Sequence, residues 1–122
     1  MNVIGPDGEA AELPEGLDEV LIGFDPVIGV PEQSATELAL LVSERACASG
    51  REMGDRLLGP EVVETADEVF VAFAVTIQLT VQDCPGNPAT SVVVELDSPV
   101  GDRTVINALT GEELEVLTDD DL

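Results

Sequence analysis

The stretch VFVAFAVTIQLTV at residues 69–81 decides the predicted fold. The odd positions are all large and apolar: Val69, Val71, Phe73, Val75, Ile77, Leu79 and Val81. The even positions change along the stretch from apolar Phe70 to polar Thr80. This alternation has a period of two residues over the whole stretch, which a helix with 3.6 residues per turn cannot produce. The stretch therefore predicts one long β-strand.

Shorter strands are predicted after this stretch, separated by turns rich in Gly, Pro and Asp. We expect turns at 83–88 and 97–102, strands at 91–96 and from 104 onward, and a reversal at Gly111 before 113–117. Several short strands at such spacing are typical of all-β domains. The predicted fold class is mostly β, as a small antiparallel sandwich or partly open barrel.

Residues 36–46 fit two structures. Ser34 and Glu37 match a helix capping box, whereas Leu38, Leu40 and Val42 alternate as in a strand. We favour the strand because the apolar run is short and ends at a Cys-Ala-Ser-Gly turn. The glycine-rich residues 47–60 are then predicted to form a long loop.

The 122 residues are predicted to form one domain with two flanking segments. Residues 1–35 hold four prolines and read as an extended N-terminal arm or linker, with one short strand around Leu17 to Phe24. Residues 36–117 are the β domain, and residues 118–122 are a solvated acidic tail. The first residues lack the features of a signal peptide, so we expect an exported form to have lost its leader.

The charge balance is strongly negative, with four arginines against 26 acidic residues and a net charge of −22. Nucleic acid and anionic membrane surfaces are therefore not expected as partners, because both require a Lys/Arg surface. Weak divalent-cation binding is conceivable at Glu112, Glu113 and 119–121, although the acidity is also explained by a salt-adapted or high-GC host. No metal site is predicted.

The residue inventory argues against catalysis. The chain contains no His, Lys, Tyr or Trp, and its aromatic content is only 2%. General acid–base chemistry would depend on carboxylates alone, and no phosphate-binding loop or nucleophile motif is present. We predict no enzyme activity and no cofactor.

Two interpretations of the arginines remain open. In the first, Arg45, Arg51 and Arg103 converge as an anion or carboxylate clamp. In the second, which we favour, each arginine forms a structural salt bridge with an acid such as Glu44 or Asp102.

Cys47 and Cys84 are the only two cysteines. They form no CxxC motif and have no His partner, so zinc and thiol-nucleophile chemistry are not expected. A structural disulfide or two buried free thiols remain, and we favour the disulfide, whose closure contributes on the order of 3–4 kcal/mol.

Three motifs resemble a pattern that recurs in actinobacterial exported proteins and lipoproteins of unknown function. They are ERACASGR at 44–51, CPGNPAT at 84–90 and VGDRT at 100–104, and the resemblance spans residues 37–108. It implies an extracytoplasmic domain with a Cys47–Cys84 bridge and implies no activity. The first 36 residues fall outside it, and no lipobox is visible.

The expected function is therefore that of a non-catalytic extracytoplasmic β module, secreted or lipid-anchored, that acts in protein interaction or envelope structure. Its protein partner is unknown. Two alternatives are a cytosolic acidic interaction protein of a salt-adapted organism and a Ca²⁺-dependent domain.

Overall fold

The computed structural model describes residues 3–5, 8–10, 12–44, 53–77 and 89–117. These residues form seven β-strands and one short 3-10 helix, with no α-helix among them. The strands are β1 Leu17–Phe24, β2 Glu37–Glu44, β3 Leu57–Glu64, β4 Glu68–Thr76, β5 Thr90–Glu95, β6 Thr104–Asn107 and β7 Glu112–Glu113, and the helix is Gly54–Arg56. The predicted mostly-β class is confirmed.

The strands pair in the order β5-β2-β1-β4-β6-β7, and β3 lies on the other edge of β4. All of these pairings are antiparallel except that of β4 with β6, which is parallel. A parallel pair needs a long crossover connection, and here the connection contains β5. The sheet is therefore mixed, rather than antiparallel throughout as predicted, and it is not closed into a barrel.

Strand β1 changes partner along its length. Its first three residues pair with the end of β4, and Val20 to Phe24 pair with β2. The sheet curls around one aliphatic core, because each apolar face must be covered by another part of the fold. The largest fully buried side chains are Phe73, Leu38, Leu40, Val20, Val42, Val69, Val71, Val75 and Val94.

Strand β4 is buried on both faces. Its odd positions lie in the main core, and Ala72 on the opposite face packs in a smaller cluster with Val3 and Ala108. The amide of Val3 donates to both carboxylate oxygens of Glu61, at 3.0 and 2.9 Å, which holds this first segment on the sheet. Residues predicted as an arm thus cover β4, and the short strand predicted there is β1 in the middle of the sheet.

Several strand predictions are confirmed and one loop prediction is wrong. Strands β2, β5 and β6 lie where expected, and the predicted 69–81 strand is β4 up to Thr76, with residues 78–81 outside the described part. The predicted loop at 47–60 is wrong from Leu57 onward, where β3 begins. The Gly59-Pro60 pair falls at a register shift in an edge strand, where a residue without an N–H is tolerated.

Gly59 is required by its surroundings. Its φ is +113°, and a Cβ at this position would lie 2.8 Å from the carbonyl oxygen of Ala72 in β4. Real Cβ atoms do not approach an oxygen so closely, so any side chain here forces β3 away from β4. Gly59 therefore favours a loop when the sequence is read alone, but in the structure it permits the pairing of β3 with β4.

We expect Gly59→Ala to lower the free energy of unfolding by more than about 1 kcal/mol, because backbone strain and the contact with β4 add together. Urea denaturation measures this. The matched control is Gly111→Ala, whose φ is +76° but whose Cβ would meet nothing within 4 Å. Equal losses in the two variants would contradict the close-approach argument.

Candidate functional site

The structure describes only part of the predicted site. Cys47, Cys84, Arg45 and Arg51 lie outside the described residues, so the disulfide and the convergent clamp stay predictions. Arg103 is described and lies at the start of β6. It therefore shows what one of the proposed clamp arginines contacts.

The Arg103 guanidinium binds acceptors of the protein itself. Its Nη2 lies 3.0 Å from Oε1 of Glu64, and its side chain is only 11% exposed. It also donates to four backbone carbonyl oxygens, those of Thr65, Ser98, Pro99 and Val100, at 2.8–3.3 Å. A guanidinium has five N–H donors in a fixed plane. Arg103 uses them to hold the turn before β6 against the end of β3.

Glu64 links two outer strands of the sheet, β3 and β5. It is the last residue of β3, and its Oε2 accepts a hydrogen bond from the amide of Asp97 at 2.8 Å, two residues beyond β5. Among the described pairings, β3 and β5 are outer strands that do not pair with each other. We call Glu64, Arg103 and the Asp97 amide the clasp. The sequence analysis gave Asp102, the residue next to Arg103, as an example of an acidic partner. In the structure the partner of Arg103 is Glu64, which lies 39 positions earlier in the chain.

The clasp shifts the acidity of its carboxyl group. Burial alone raises the pKa of Glu64, but hydrogen bonds from the Asp97 amide, the Arg103 side chain and the Ser98 amide, together with the Arg103 charge, outweigh it. The pKa of Glu64 is therefore lower than its ordinary value. A carboxylate stabilised in this way supports the fold only while it is ionised.

A second ion pair joins Arg56 to Glu44, the last residue of β2. The contact is bidentate, with Nη1 2.9 Å from Oε2 and Nη2 2.8 Å from Oε1. The Glu44 side chain is 3% exposed, so this carboxylate is buried. Arg56 also donates to the carbonyl oxygen of Thr76 at the end of β4. The hydrogen bond that Arg56 donates to the Glu44 carboxylate, opposed by burial of the guanidinium, raises the pKa of Arg56.

One open cleft of about 480 Å³ lies beside the 108–111 turn. Its lining includes two carboxylates, Glu12 and Glu19, and apolar Leu13 and Leu109. Nowhere in the described ranges do three or more acids or cysteines come together as metal ligands. The conceivable cation-binding residues Glu112 and Glu113 are exposed on β7, and 119–121 lie outside those ranges.

The most unusual described surface is an apolar loop at residues 27–30, between β1 and β2. Val27, Ile28 and Val30 are 90%, 66% and 69% exposed. Sequence analysis did not single this loop out. Its signal was present as Val-Ile-Gly-Val between two prolines, an apolar run too short and too punctuated for a strand.

Comparison with known proteins gives no relative, since no protein-family model, curated protein or solved structure matches this chain. No helix in the part of the chain described by the structure is long and apolar enough to cross a membrane. The function therefore has to be argued from the residues and their geometry.

We expect Arg56→Met to lower the free energy of unfolding by about 3 kcal/mol, because it leaves the buried Glu44 carboxylate without its bidentate partner. Denaturant unfolding at neutral pH measures the loss. The control is the double variant Glu44→Gln/Arg56→Met, which also removes the buried charge and should recover part of the loss. Full stability of the single variant would contradict a structural role for this pair.

The clasp predicts a pH dependence of defined sign. Because the folded pKa of Glu64 is lowered, its contribution is fully present above the unfolded value of about 4.3 and is lost as the pH falls through the folded value. The difference in unfolding free energy between the parent and Glu64→Gln should be constant above about pH 6 and shrink below about pH 4. Urea titrations at several pH values give this difference, and a gap that widens in acid would refute the assignment.

Proposed function

We propose that this chain is a non-catalytic extracytoplasmic β module, acting in protein interaction or envelope structure and stapled by a Cys47–Cys84 disulfide. The observation that carries the proposal is the pairing of β2 with β5. Val42 near the end of β2 lies opposite Thr90 at the start of β5. The described residues that precede one cysteine and follow the other are therefore neighbours in the sheet.

The distances along the chain are compatible with a bridge. Cys47 follows Val42 by five positions, and Cys84 precedes Thr90 by six. Paired antiparallel strands lie about 5 Å apart, and a disulfide joins Cα atoms about 4.4–6.8 Å apart. Two segments of similar length that leave adjacent strands at the same end can meet without moving either strand. The register thus supports the disulfide that the resemblance implies.

The ion pairs support the non-catalytic part of the proposal. Both described arginines contact acids and carbonyl groups that fasten strands together, Arg56 through Glu44 and Arg103 through Glu64. The sequence supplies no Lys or His to take over catalysis. The two arginines that the structure describes therefore join strands of the fold.

The cytosolic alternative draws on the charge. Four arginines against 26 acidic residues leave a large excess of negative charge, which salt would screen. In a reducing compartment the two cysteines would be thiols. The redox state of the cysteines therefore separates this alternative from the leading proposal.

We expect the protein isolated from its host without reductant to contain no titratable thiol under denaturing conditions before reduction and two after it. Cys47→Ser and Cys84→Ser should each lower the unfolding free energy by the same amount, about 3 kcal/mol, because each removes the same bridge. Thiol titration and urea denaturation measure the two effects. Two free thiols in the native protein would refute the proposal and favour the cytosolic alternative.

A further inference from the structure

We propose that the apolar loop docks into an apolar pocket of a partner protein whose rim carries Lys or Arg side chains. This inference rests on the proposed role in protein interaction, and it adds the surface and the chemistry of the partner. Its basis is the exposure, the fixed conformation and the electrostatic surroundings of residues 27–30.

The exposure of the loop is concentrated in one place. Three aliphatic residues within four consecutive positions, Val27, Ile28 and Val30, are each 66% exposed or more. By comparison, Val93 is 61% exposed but stands on β5 between Val92, which is partly buried, and Val94, which is fully buried. Isolated exposed aliphatic residues are normal on protein surfaces, whereas a contiguous group indicates a contact surface.

The loop is held in one conformation by hydrogen bonds to Asp25. The carboxylate of Asp25 accepts from the Val27 amide at 2.9 Å, and its carbonyl oxygen accepts from the Ile28 and Gly29 amides at 3.1 and 2.7 Å. Gly29 closes the turn with a φ of +81°. A loop already fixed in this way loses little conformational entropy when it binds, so more of its burial energy appears as affinity.

The return side of the loop is fastened to the rest of the fold. The Gly101 amide donates to the Gln33 carbonyl oxygen at 2.9 Å, and the Val100 amide donates to the Ala35 carbonyl oxygen at 2.8 Å. The turn that supplies these amides is itself held by Arg103 of the clasp. The chain that follows the apolar loop is therefore hydrogen-bonded to the turn before β6.

Charge decides what kind of partner fits. Asp25 belongs to the loop turn, exposed Glu32 follows the loop, and Asp102 bonds to the Gln33 side chain beside it. Arg103, which follows Asp102 in the chain, is paired with Glu64. An acidic surround favours a basic rim on the partner and opposes a second copy of this chain or an anionic lipid surface.

A shallow cleft continues the apolar surface. It has a volume of about 200 Å³, and Val30 and Pro31 form one wall. Phe24, Val105 and Leu114 contribute apolar lining, and the charged side chains that line it are Asp102, Arg103 and Glu113. A partner that receives the loop can therefore place an apolar side chain of its own in this cleft, with a basic group next to Asp102.

The test begins with the full-length chain in its host, carrying a photo-crosslinking amino acid in place of Ile28. The protein joined to it is identified, purified and titrated by calorimetry against three forms of the chain. These are the parent, the triple variant Val27→Ser/Ile28→Ser/Val30→Ser, and the matched control Val93→Ser, which replaces one exposed aliphatic residue outside the loop. Melting temperatures of all three forms verify that the folds are intact.

We expect the triple variant to weaken binding at least tenfold, which corresponds to the loss of about one buried aliphatic side chain. The control should bind like the parent, and raising NaCl from about 0.1 to 0.5 M should weaken parent binding because it screens the basic rim. The inference is overturned if the triple variant binds as tightly as the parent, if binding is insensitive to salt, or if position 28 crosslinks to lipid, to another copy or to nothing. The thiol titration is independent of these outcomes. If the disulfide is present but binding does not depend on residues 27–30, the docking role of the loop is refuted and the proposed disulfide-stapled module is not.

Discussion

The burial of β4 on both faces is the constraint on which the rest of the structure depends. Val69, Val71, Phe73 and Val75 need a cover on one side, and Ala72 needs one on the other. With no α-helix in the described ranges, these covers come from other strands and from the N-terminal segment. The curl of the sheet, the partner change of β1 and the packing of Val3 all follow from removing this one strand from water.

A curled sheet that does not close leaves outer strands, and charged side chains join two of them, β3 and β5. Glu64 at the end of β3 contacts the chain just after β5, and Arg103 holds both. Arg56 does similar work between β2 and β4 through buried Glu44 and the carbonyl oxygen of Thr76. Buried ion pairs are weak evidence for net stability, but removing one partner is costly. Two of the four basic residues of the chain, Arg56 and Arg103, therefore connect strands through ion pairs.

Because both described arginines are engaged in contacts within the fold, the described surface is acidic and carries the apolar loop. The loop at residues 27–30 is exposed, is hydrogen-bonded to Asp25, and is flanked by Asp25 and Glu32. Such a surface recognises by shape and charge together, since apolar burial supplies affinity and the acidic surround selects against like-charged partners. In the proposed binding role, the sheet acts as the scaffold and the β1–β2 connection makes the contact.

The sequence by itself determined β4, whose period of two is uninterrupted, and the sign of the surface charge, because the first depends only on neighbouring residues and the second only on their sum. It did not reveal β3, because Gly59 and Pro60 indicate a turn when only the sequence is considered. The structure shows why a glycine lies within this strand: a Cβ at position 59 would lie 2.8 Å from the carbonyl oxygen of Ala72 in β4. The sequence also did not reveal the partner of Arg103 or the parallel pairing of β4 with β6. Those were decided by the tertiary structure, because they join residues far apart in the chain that only the curling of the sheet brings into contact.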